Sequence, residues 1–267
     1  MNNDLSSYFE DPEFKEALEK YEGMVKNHPP AYFDADELTD IAEYYASKGR
    51  QIEAEAAIDF ALQLHPNDTD ALIFRARSLA MKGRLDEAYM VMDLIEDRSD
   101  REVRFLKADL LMEEKRMEEA DHVFEELAAY EEGKLETLID IILAYIDANQ
   151  EALAKKWIKH VGETYDLASL SQKNQKFRDL LCDFYITFNN PEAAIPLLQV
   201  TLDCYPYSIN HWNSLGKCYL STNDYEEAHE AIDFALAIDD SNAEALTLKA
   251  FCYQQSGELQ KSCDYYL

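Results

Sequence analysis

Apolar residues in this chain recur with helical spacing, and turn-forming or helix-breaking residues interrupt them at regular intervals. In residues 35–68, the first apolar run predicts a helix over about Asp36–Ser47 and the second predicts a helix over Gln51–Leu64. Gly49 lies in the short turn between the two runs, and Pro66 follows the second run, which it cannot continue as a helix. The same order of helix, turn and helix restarts directly afterwards. The pattern therefore predicts a chain built from pairs of helices.

Two positions within these helix pairs carry mostly small residues. Both series of positions advance by the same irregular steps of 34, 32, 34, 40, 34 and 34 residues. A repeat of about 34 residues is typical of helix pairs that cannot bury their apolar faces alone and that stack on one another. The first series is Ala42, Ala76, Ala108, Ile142, Cys182, Gly216 and Ala250, and the second is Ala54, Ala88, Ala120, Ala154, Ala194, Ala228 and Ser262.

The residues at the repeated positions resemble the tetratricopeptide repeat family over about Ala35–Leu267. The clearest copy spans residues 209–242, where Asp240 replaces the family's closing proline. This resemblance implies an all-α fold, a right-handed α-solenoid of about seven helix–turn–helix repeats with an N-terminal capping helix. The residues of the clearest copy that match the family are Trp212, Leu215, Gly216, Tyr219, Tyr225, Ala228 and Ala235.

The predicted organisation is an N-terminal capping segment in residues 1–34, with its helix over about Asp11–Lys26, followed by the repeat array in residues 35–267. The 40-residue step places six extra residues near Asp166–Gln175, where the polar sequence SLSQKNQ predicts a longer loop that bends or divides the array. The predicted repeats span residues 35–68, 69–100, 101–134, 135–168, 175–208, 209–242 and 243–267, the last of them truncated.

The last predicted repeat stops partway through its second helix. Solenoid ends need a cap, because an open end exposes apolar surface such as Tyr265, Tyr266 and Leu267. We therefore expect that the natural chain continues past Leu267 or that this end packs against another chain.

The charge of the chain narrows its range of partners. It carries 54 acidic and 25 basic side chains, a formal net charge of −29. Such a chain is expected to repel nucleic acid and anionic lipid and to attract a basic partner, although acidity that only keeps a long surface soluble is the alternative. No apolar stretch is long enough to insert into a membrane and the start lacks a secretory signal, so a cytoplasmic location is expected by default.

The sequence contains no arrangement of residues that indicates catalysis. Its six histidines are scattered, and it has no HExxH, GxSxG or glycine-rich phosphate-binding motif. Its five cysteines form no CxxC pair and are predicted to be buried free thiols. We therefore expect no enzymatic activity, no cofactor and no metal site.

The family resemblance implies that the first helices of successive repeats line a concave groove that binds a peptide or a partner protein. Apolar residues at the centre of the groove and acidic residues beside them suit an extended or helical segment with apolar anchors and basic residues. The alternative is that some of these positions pack against the neighbouring repeat. The candidate partner-binding residues are Asp36, Glu43, Asp70, Ile73, Arg77, Phe105, Asp109, Ile139, Leu143, Asp179, Asp183, Asn213 and Lys217.

Three functions follow from this organisation. The first is a scaffold or adaptor that binds a basic or apolar partner in the groove. The second is a structural module that self-associates through its uncapped C-terminal end, and the third is the regulatory arm of a longer chain. The family subtype that grips an acidic C-terminal tail is disfavoured, because the matching groove positions are mainly acidic or apolar.

Overall fold

The computed structural model describes residues 8–27 and 31–266, and every regular element in that part of the chain is an α-helix. The predicted all-α solenoid class is confirmed, whereas the number of repeats stays a prediction. The helices are α1 (Pro12–Asn27), α2 (Ala35–Ser47), α3 (Gln51–Leu64), α4 (Thr69–Met81), α5 (Leu85–Met92), α6 (Arg101–Glu113), α7 (Met117–Tyr130), α8 (Leu135–Asp147), α9 (Glu151–Thr164), α10 (Leu167–Lys173), α11 (Gln175–Thr187), α12 (Pro191–Cys204), α13 (Ile209–Thr222), α14 (Tyr225–Ile238), α15 (Ala243–Gln255) and α16 (Leu259–Tyr266).

The turns inside the helix pairs share one backbone feature, a residue in the left-handed region. These residues follow one another at steps of 34, 32, 34, 40, 34 and 34, the same steps as the two series of small residues. Glycine reaches this region without steric cost, and asparagine tolerates it better than most other residues. The turns therefore follow the repeat that the sequence predicts. The left-handed residues are Gly49, Gly83, Lys115, Asn149, Asn189, Asn223 and Gly257.

The chain forms two compact units, one up to Leu127 and one from Ala128 onward. The boundary lies within α7, and so away from Asp166–Gln175, where the sequence analysis placed a bend or a division. In both units the predicted small residues are buried where the helices of a pair cross.

Aromatic rings attach α1 to the first helix pair of the first unit. The ring centroid of Tyr21 lies 5.9 Å from that of Phe33, 6.4 Å from that of Tyr45 and 6.5 Å from that of Phe60. Tilted and edge-on contacts of this kind suit the charge distribution of aromatic rings, which also bury a large apolar area. Helix α1 therefore covers apolar residues of α2 and α3 in this unit.

The stretch of the second unit that holds the six extra residues contains a seven-residue helix, α10, so the prediction of a loop is wrong here. The side chain of Asp166 accepts a hydrogen bond from the backbone N–H of Ala168 and caps the helix. Leu167 packs on Gly162, where an added Cβ would come within 3.1 Å of Leu167 Cδ1. Most residues of this stretch are polar, but Leu167 and Leu170 are partly buried and give the helix its apolar contact.

Arg178 of α11 holds the C-terminal end of α10. Its side chain is only 3% exposed. Its Nε donates to Thr201 Oγ1 at 2.7 Å, and its Nη1 donates to the carbonyl oxygens of Ser171 and Gln172, each at 3.1 Å. The last carbonyl groups of a helix carry partial negative charge, so they stabilise the buried guanidinium. Arg178 could not be predicted as a structural residue from the sequence, because one arginine on a helix has no distinguishing pattern.

Candidate functional site

The predicted groove positions of α2, α4 and α6 bring acidic side chains together on one surface of the first unit. Arg77 lies among them, with Nη2 3.5 Å from Glu102 Oε2 and Nε 3.6 Å from Asp109 Oδ2. Arg77 and Asp109 hold equivalent positions one repeat apart, so this ion pair runs from one first helix to the next. We call this surface the first-helix face of unit 1, formed by Asp36, Glu43, Asp70, Arg77, Glu102 and Asp109.

The carboxylates of this face are incompletely hydrated. Desolvation raises the pKa of Asp109 to about 6, and the nearby Arg77 offsets only part of this effect. Desolvation also raises the pKa of Glu43, with a further contribution from Asp40, and it raises the pKa of Asp70 together with repulsion from neighbouring aspartates. Glu43 and Asp70 nevertheless keep exposed surface. A cation placed beside these partly desolvated carboxylates would favour their ionised form.

The predicted apolar centre of the groove is not present as an exposed surface. Ile73, Phe105 and Ile139 keep only 5%, 7% and 5% of their surface exposed, and Leu143 is half-buried. The ring of Phe105 packs against that of Phe124, with centroids 5.2 Å apart. This finding corrects the prediction, because these side chains pack into the interior of their units, as the alternative interpretation allowed.

In the second unit, the groove positions of α13 are engaged with the start of α15. Asn213 is only 1% exposed, and its Nδ2 donates to Asn242 Oδ1 at 3.1 Å and to Glu244 Oε2 at 3.0 Å. The ammonium group of Lys217 pairs with the other carboxylate oxygen of Glu244. Asn213 and Lys217 therefore join two neighbouring first helices, and the buried amide of Asn213 is not accessible to a ligand.

Asp179 and Asp183 occupy the groove positions of α11 in the second unit. His211 Nε2 lies 3.5 Å from Asp179 Oδ1. Burial raises the pKa of Asp183, repulsion from Asp179 adds to this effect, and His211 opposes it. Within the described residues, the buried atoms Asp179 Oδ1 and Asn213 Oδ1 accept no hydrogen bond. We call Asp179, Asp183, Asn213 and Lys217 the first-helix face of unit 2.

The cysteines are free thiols, as predicted, but only three of them are buried. Burial raises the pKa of Cys182 to about 12 and that of Cys218 to about 11, and Cys252 is likewise buried. Cys204 and Cys263 are exposed, which corrects the prediction of burial for these two.

The described part of the chain shows neither a metal-binding cluster nor a membrane-spanning helix. No group of three or more histidine, cysteine, aspartate or glutamate side chains there is arranged to hold a metal ion. None of the helices described has the length and apolar character needed to cross a membrane.

Comparison with known proteins identifies repeats at both ends of the array. Residues 39–89 and residues 211–242 each match a family model of the tetratricopeptide repeat. The second match lies within residues 209–242, which the sequence analysis identified as the clearest copy. The two matches thus fall one in each compact unit.

Solved structures with a similar fold include a tetratricopeptide repeat protein from Parabacteroides merdae ATCC 43184. It is 15% identical to this chain with a TM-score of 0.53, and the alignment covers 87% of this chain and 90% of that chain. The hetero-tetramer Cut9-Hcn1 of the APC/C gives 18% identity and a TM-score of 0.50, covering 94% of this chain and 42% of the other. At these identities the likeness shows the fold alone.

One curated relative is the formate-dependent nitrite reductase complex subunit NrfG of Escherichia coli O157:H7. It is 28% identical over 126 residues, which make up 47% of this chain and 58% of that protein. The match therefore spans less than two thirds of the length of the relative.

Proposed function

Because this chain belongs to the tetratricopeptide repeat family, whose fold serves as a protein-interaction scaffold, we propose that it binds a basic segment of a partner protein on the first-helix face of unit 1. The sequence alone is compatible with a basic or an apolar partner. The burial of Ile73 and Phe105 favours the basic one, since the face offers carboxylates and little apolar surface.

The observation that carries this proposal is the convergence of carboxylates from three successive first helices. Glu43, Asp70 and Asp109 belong to α2, α4 and α6, and each has a raised pKa because protein has replaced part of its water. Lysine or arginine side chains would restore favourable interactions to the ionised carboxylates. The net charge of −29 would also speed the approach of a basic partner at low salt.

Arg77 divides the proposed site into two acidic parts. Its contacts with Glu102 and Asp109, at 3.5 and 3.6 Å, are long for ion pairs. Glu102 also pairs with Arg101 at 2.7 Å, so Asp109 is the carboxylate of the two that retains capacity for another cation. A basic side chain placed next to Arg77 would be repelled. We propose that the basic residues of the partner lie on either side of Arg77, one group near Glu43 and Asp70 and the other near Asp109.

A titration with a short lysine–leucine peptide, followed by calorimetry at low and at physiological ionic strength, tests the proposal. The wild-type protein should bind the peptide, more weakly as salt increases. The variant Glu43→Gln/Asp70→Asn/Asp109→Asn should bind roughly tenfold more weakly or worse, because three favourable charges are lost.

The control variant Glu16→Gln/Glu19→Gln/Asp86→Asn loses the same charge from exposed positions of the first unit outside this face. It should bind nearly as well as the wild type. Equal losses of affinity in both variants would mean that the peptide responds only to overall charge. Unchanged affinity in the Glu43/Asp70/Asp109 variant would mean that this face does not bind the peptide.

A second candidate function, self-association through α15 and α16, is favoured by exposed apolar side chains on these helices. Phe251 is 39% exposed, Leu259 is 64% exposed and Tyr265 is 37% exposed. Of the residues predicted to form this surface, Leu267 and the side chain of Tyr266 lie outside the described part of the structure. Sedimentation velocity over a wide concentration range tests this candidate, and a constant monomer mass would exclude it.

A further inference from the structure

A cavity of about 250 Å³ opens in the second unit between α12, α13 and α14. Helix α13 contributes Trp212, Leu215 and Tyr219, which lie on a different side of the helix from Asn213 and Lys217, because successive helical residues are turned by about 100°. Pockets for drug-sized ligands and cofactors begin at about 300 Å³, so this cavity has the size for one side chain.

An aromatic pair forms one wall of the cavity. The rings of Trp212 and Phe234 are stacked, with centroids 4.5 Å apart and an interplanar angle of 17°. Trp212 Nε1 donates to the carbonyl oxygen of Pro206 at 2.8 Å, and Gln199 Nε2 donates to the Tyr219 hydroxyl at 2.9 Å, so both polar groups are held in place. Phe234 is 55% exposed, so part of its apolar ring is accessible from solvent.

Carboxylates surround the aromatic pair. Asp203, Glu227 and Glu230 line the cavity and are exposed, and no lysine or arginine lines it with them. These three carboxylates form no ion pair within the described residues. Elsewhere in the chain glutamates on helices often pair locally, as Glu119 does with Arg116 at 2.7 Å. The cavity thus combines an aromatic face with unpaired negative charge.

The geometry points to an arginine side chain of a partner protein as the occupant of this cavity. The planar guanidinium stacks on aromatic faces and donates hydrogen bonds to carboxylates in a fixed fork, whereas the lysine ammonium offers charge without a plane. The aliphatic stem of the arginine would lie against Leu202 and Leu215, which also line the cavity. This site is separate from the first-helix face of unit 1, and it stands whether or not that face binds a basic segment.

Fluorescence of Trp212 gives a direct test. The chain has two tryptophans, so the variant Trp157→Phe leaves Trp212 as the only one. Titration with N-acetyl-arginine amide should change this fluorescence in a saturable way. N-acetyl-citrulline amide has nearly the same shape without the charge and should bind roughly tenfold more weakly. The indole N–H signal of Trp212 in NMR spectra of the unaltered chain provides the same readout if the Trp157→Phe variant folds poorly.

Two pocket variants and two matched controls complete the experiment. Phe234→Ala and Glu227→Gln/Glu230→Gln should each weaken binding of the arginine probe by roughly tenfold. Tyr130→Ala removes another exposed aromatic ring and Glu192→Gln/Asp240→Asn removes two other exposed carboxylates of this unit, so neither should change binding. The proposal is overturned by the absence of a saturable response, by equal responses to arginine and citrulline, or by pocket variants that bind like the controls.

Discussion

The two units carry the same ion pair at the same repeat positions, but its surroundings differ. In the first unit Arg77 lies 3.5 Å from Glu102, which also pairs with Arg101, and 3.6 Å from Asp109. In the second unit Lys217 contacts Glu244 closely and Asn213 donates to the same carboxylate, so these groups are engaged with one another, whereas Asp109 meets Arg77 only at a long distance. The repeat position thus determines where a side chain lies, whereas the neighbouring repeat determines whether that side chain is available to a partner.

This difference gives the two units different uses for their polar side chains. The first unit gathers carboxylates beside one another and leaves them short of positive charge, as the raised pKa values of Asp109 and Glu43 indicate. The second unit turns Arg178 and Asn213 into its own interior, where they connect helices. We expect substitutions of Glu43, Asp70 and Asp109 in the first unit to alter the binding of a basic segment, and substitutions of Arg178 and Asn213 in the second to alter stability.

The largest expected effect is that of Arg178→Ala in the second unit. The substitution removes three hydrogen bonds from a buried site and leaves the carbonyl groups of Ser171 and Gln172 without this donor. We expect a loss of about 3 kcal/mol in the free energy of unfolding, measured by urea denaturation. Arg98→Ala, which breaks an exposed ion pair with Asp93, should cost less than about 1 kcal/mol. Similar losses for both arginines would contradict the structural role of Arg178.

The next effect tests the close helix crossings that both units contain. Ala54 in the first unit and Ala228 in the second are fully buried where two helices cross. Ala54→Leu and Ala228→Leu should each destabilise the chain by about 1–3 kcal/mol, because the added methyl groups have no space. The exposed Ala152→Leu should change the unfolding free energy by no more than about 0.5 kcal/mol. Unchanged melting temperatures in both buried variants would argue against the assigned repeat register.

A smaller effect concerns the pH dependence of the first unit. The pKa of Asp109 is about 6 in the folded chain, above the value of about 3.9 expected when unfolded, so its ionisation weakens the folded state. Asp109→Asn should therefore be more stable than the wild type at pH 7, and this advantage should vanish as the pH falls through 6 towards 4. The gain should be only about 0.5–1 kcal/mol, because 38% of the side chain is exposed to solvent.

Urea unfolding at a series of pH values measures this dependence. Asp97→Asn gives the opposite sign as a control, because hydrogen bonds from Ser99 lower the pKa of Asp97 and stabilise its ionised form. An advantage of Asp109→Asn that persisted at pH 4 would show that its origin is not the ionisation of Asp109.

The smallest effect is the one that replacement of Arg77 has on the affinity for a basic peptide. Arg77→Met removes a cation from the first-helix face of unit 1 and should strengthen binding by roughly threefold, since one repulsive charge is lost. Lys217→Met makes the same change of charge at the equivalent position of unit 2 and should leave affinity nearly unchanged. Calorimetric titration measures the affinity of both variants for the peptide. Equal strengthening in both would mean that positions 77 and 217 do not differ in their effect on binding.

The sequence predicted the repeat itself well, because the repeat has a strong physical cause. Two crossing helices leave room only for small residues, so Ala54 and its equivalents recur visibly, and Pro66 and Gly49 mark the ends of helices. The observed α2 and α3 agree closely with the predicted helices over residues 36–47 and 51–64. Helix α10 was missed because two leucines in a polar stretch give no clear helical pattern.

The candidate site was less predictable, because equivalent repeat positions differ in exposure. The predicted acidic positions at Glu43, Asp70 and Asp109 do lie together, whereas Ile73 and Phe105 turn into the interior. The repeat phase alone could not distinguish these cases, since burial depends on the side chains of the next repeat. The cavity beside Phe234 was missed for a similar reason, because its walls come from three helices.

The central claim is that the first-helix face of unit 1, and not that of unit 2, receives a basic partner. Paired calorimetric titrations of the lysine–leucine peptide against Glu43→Gln/Asp70→Asn and against Asp179→Asn/Asp183→Asn test it directly, because both variants lose two negative charges. We predict that the first pair weakens binding by roughly tenfold and the second by no more than about twofold. Equal weakening, or weakening by the second pair alone, would contradict the account.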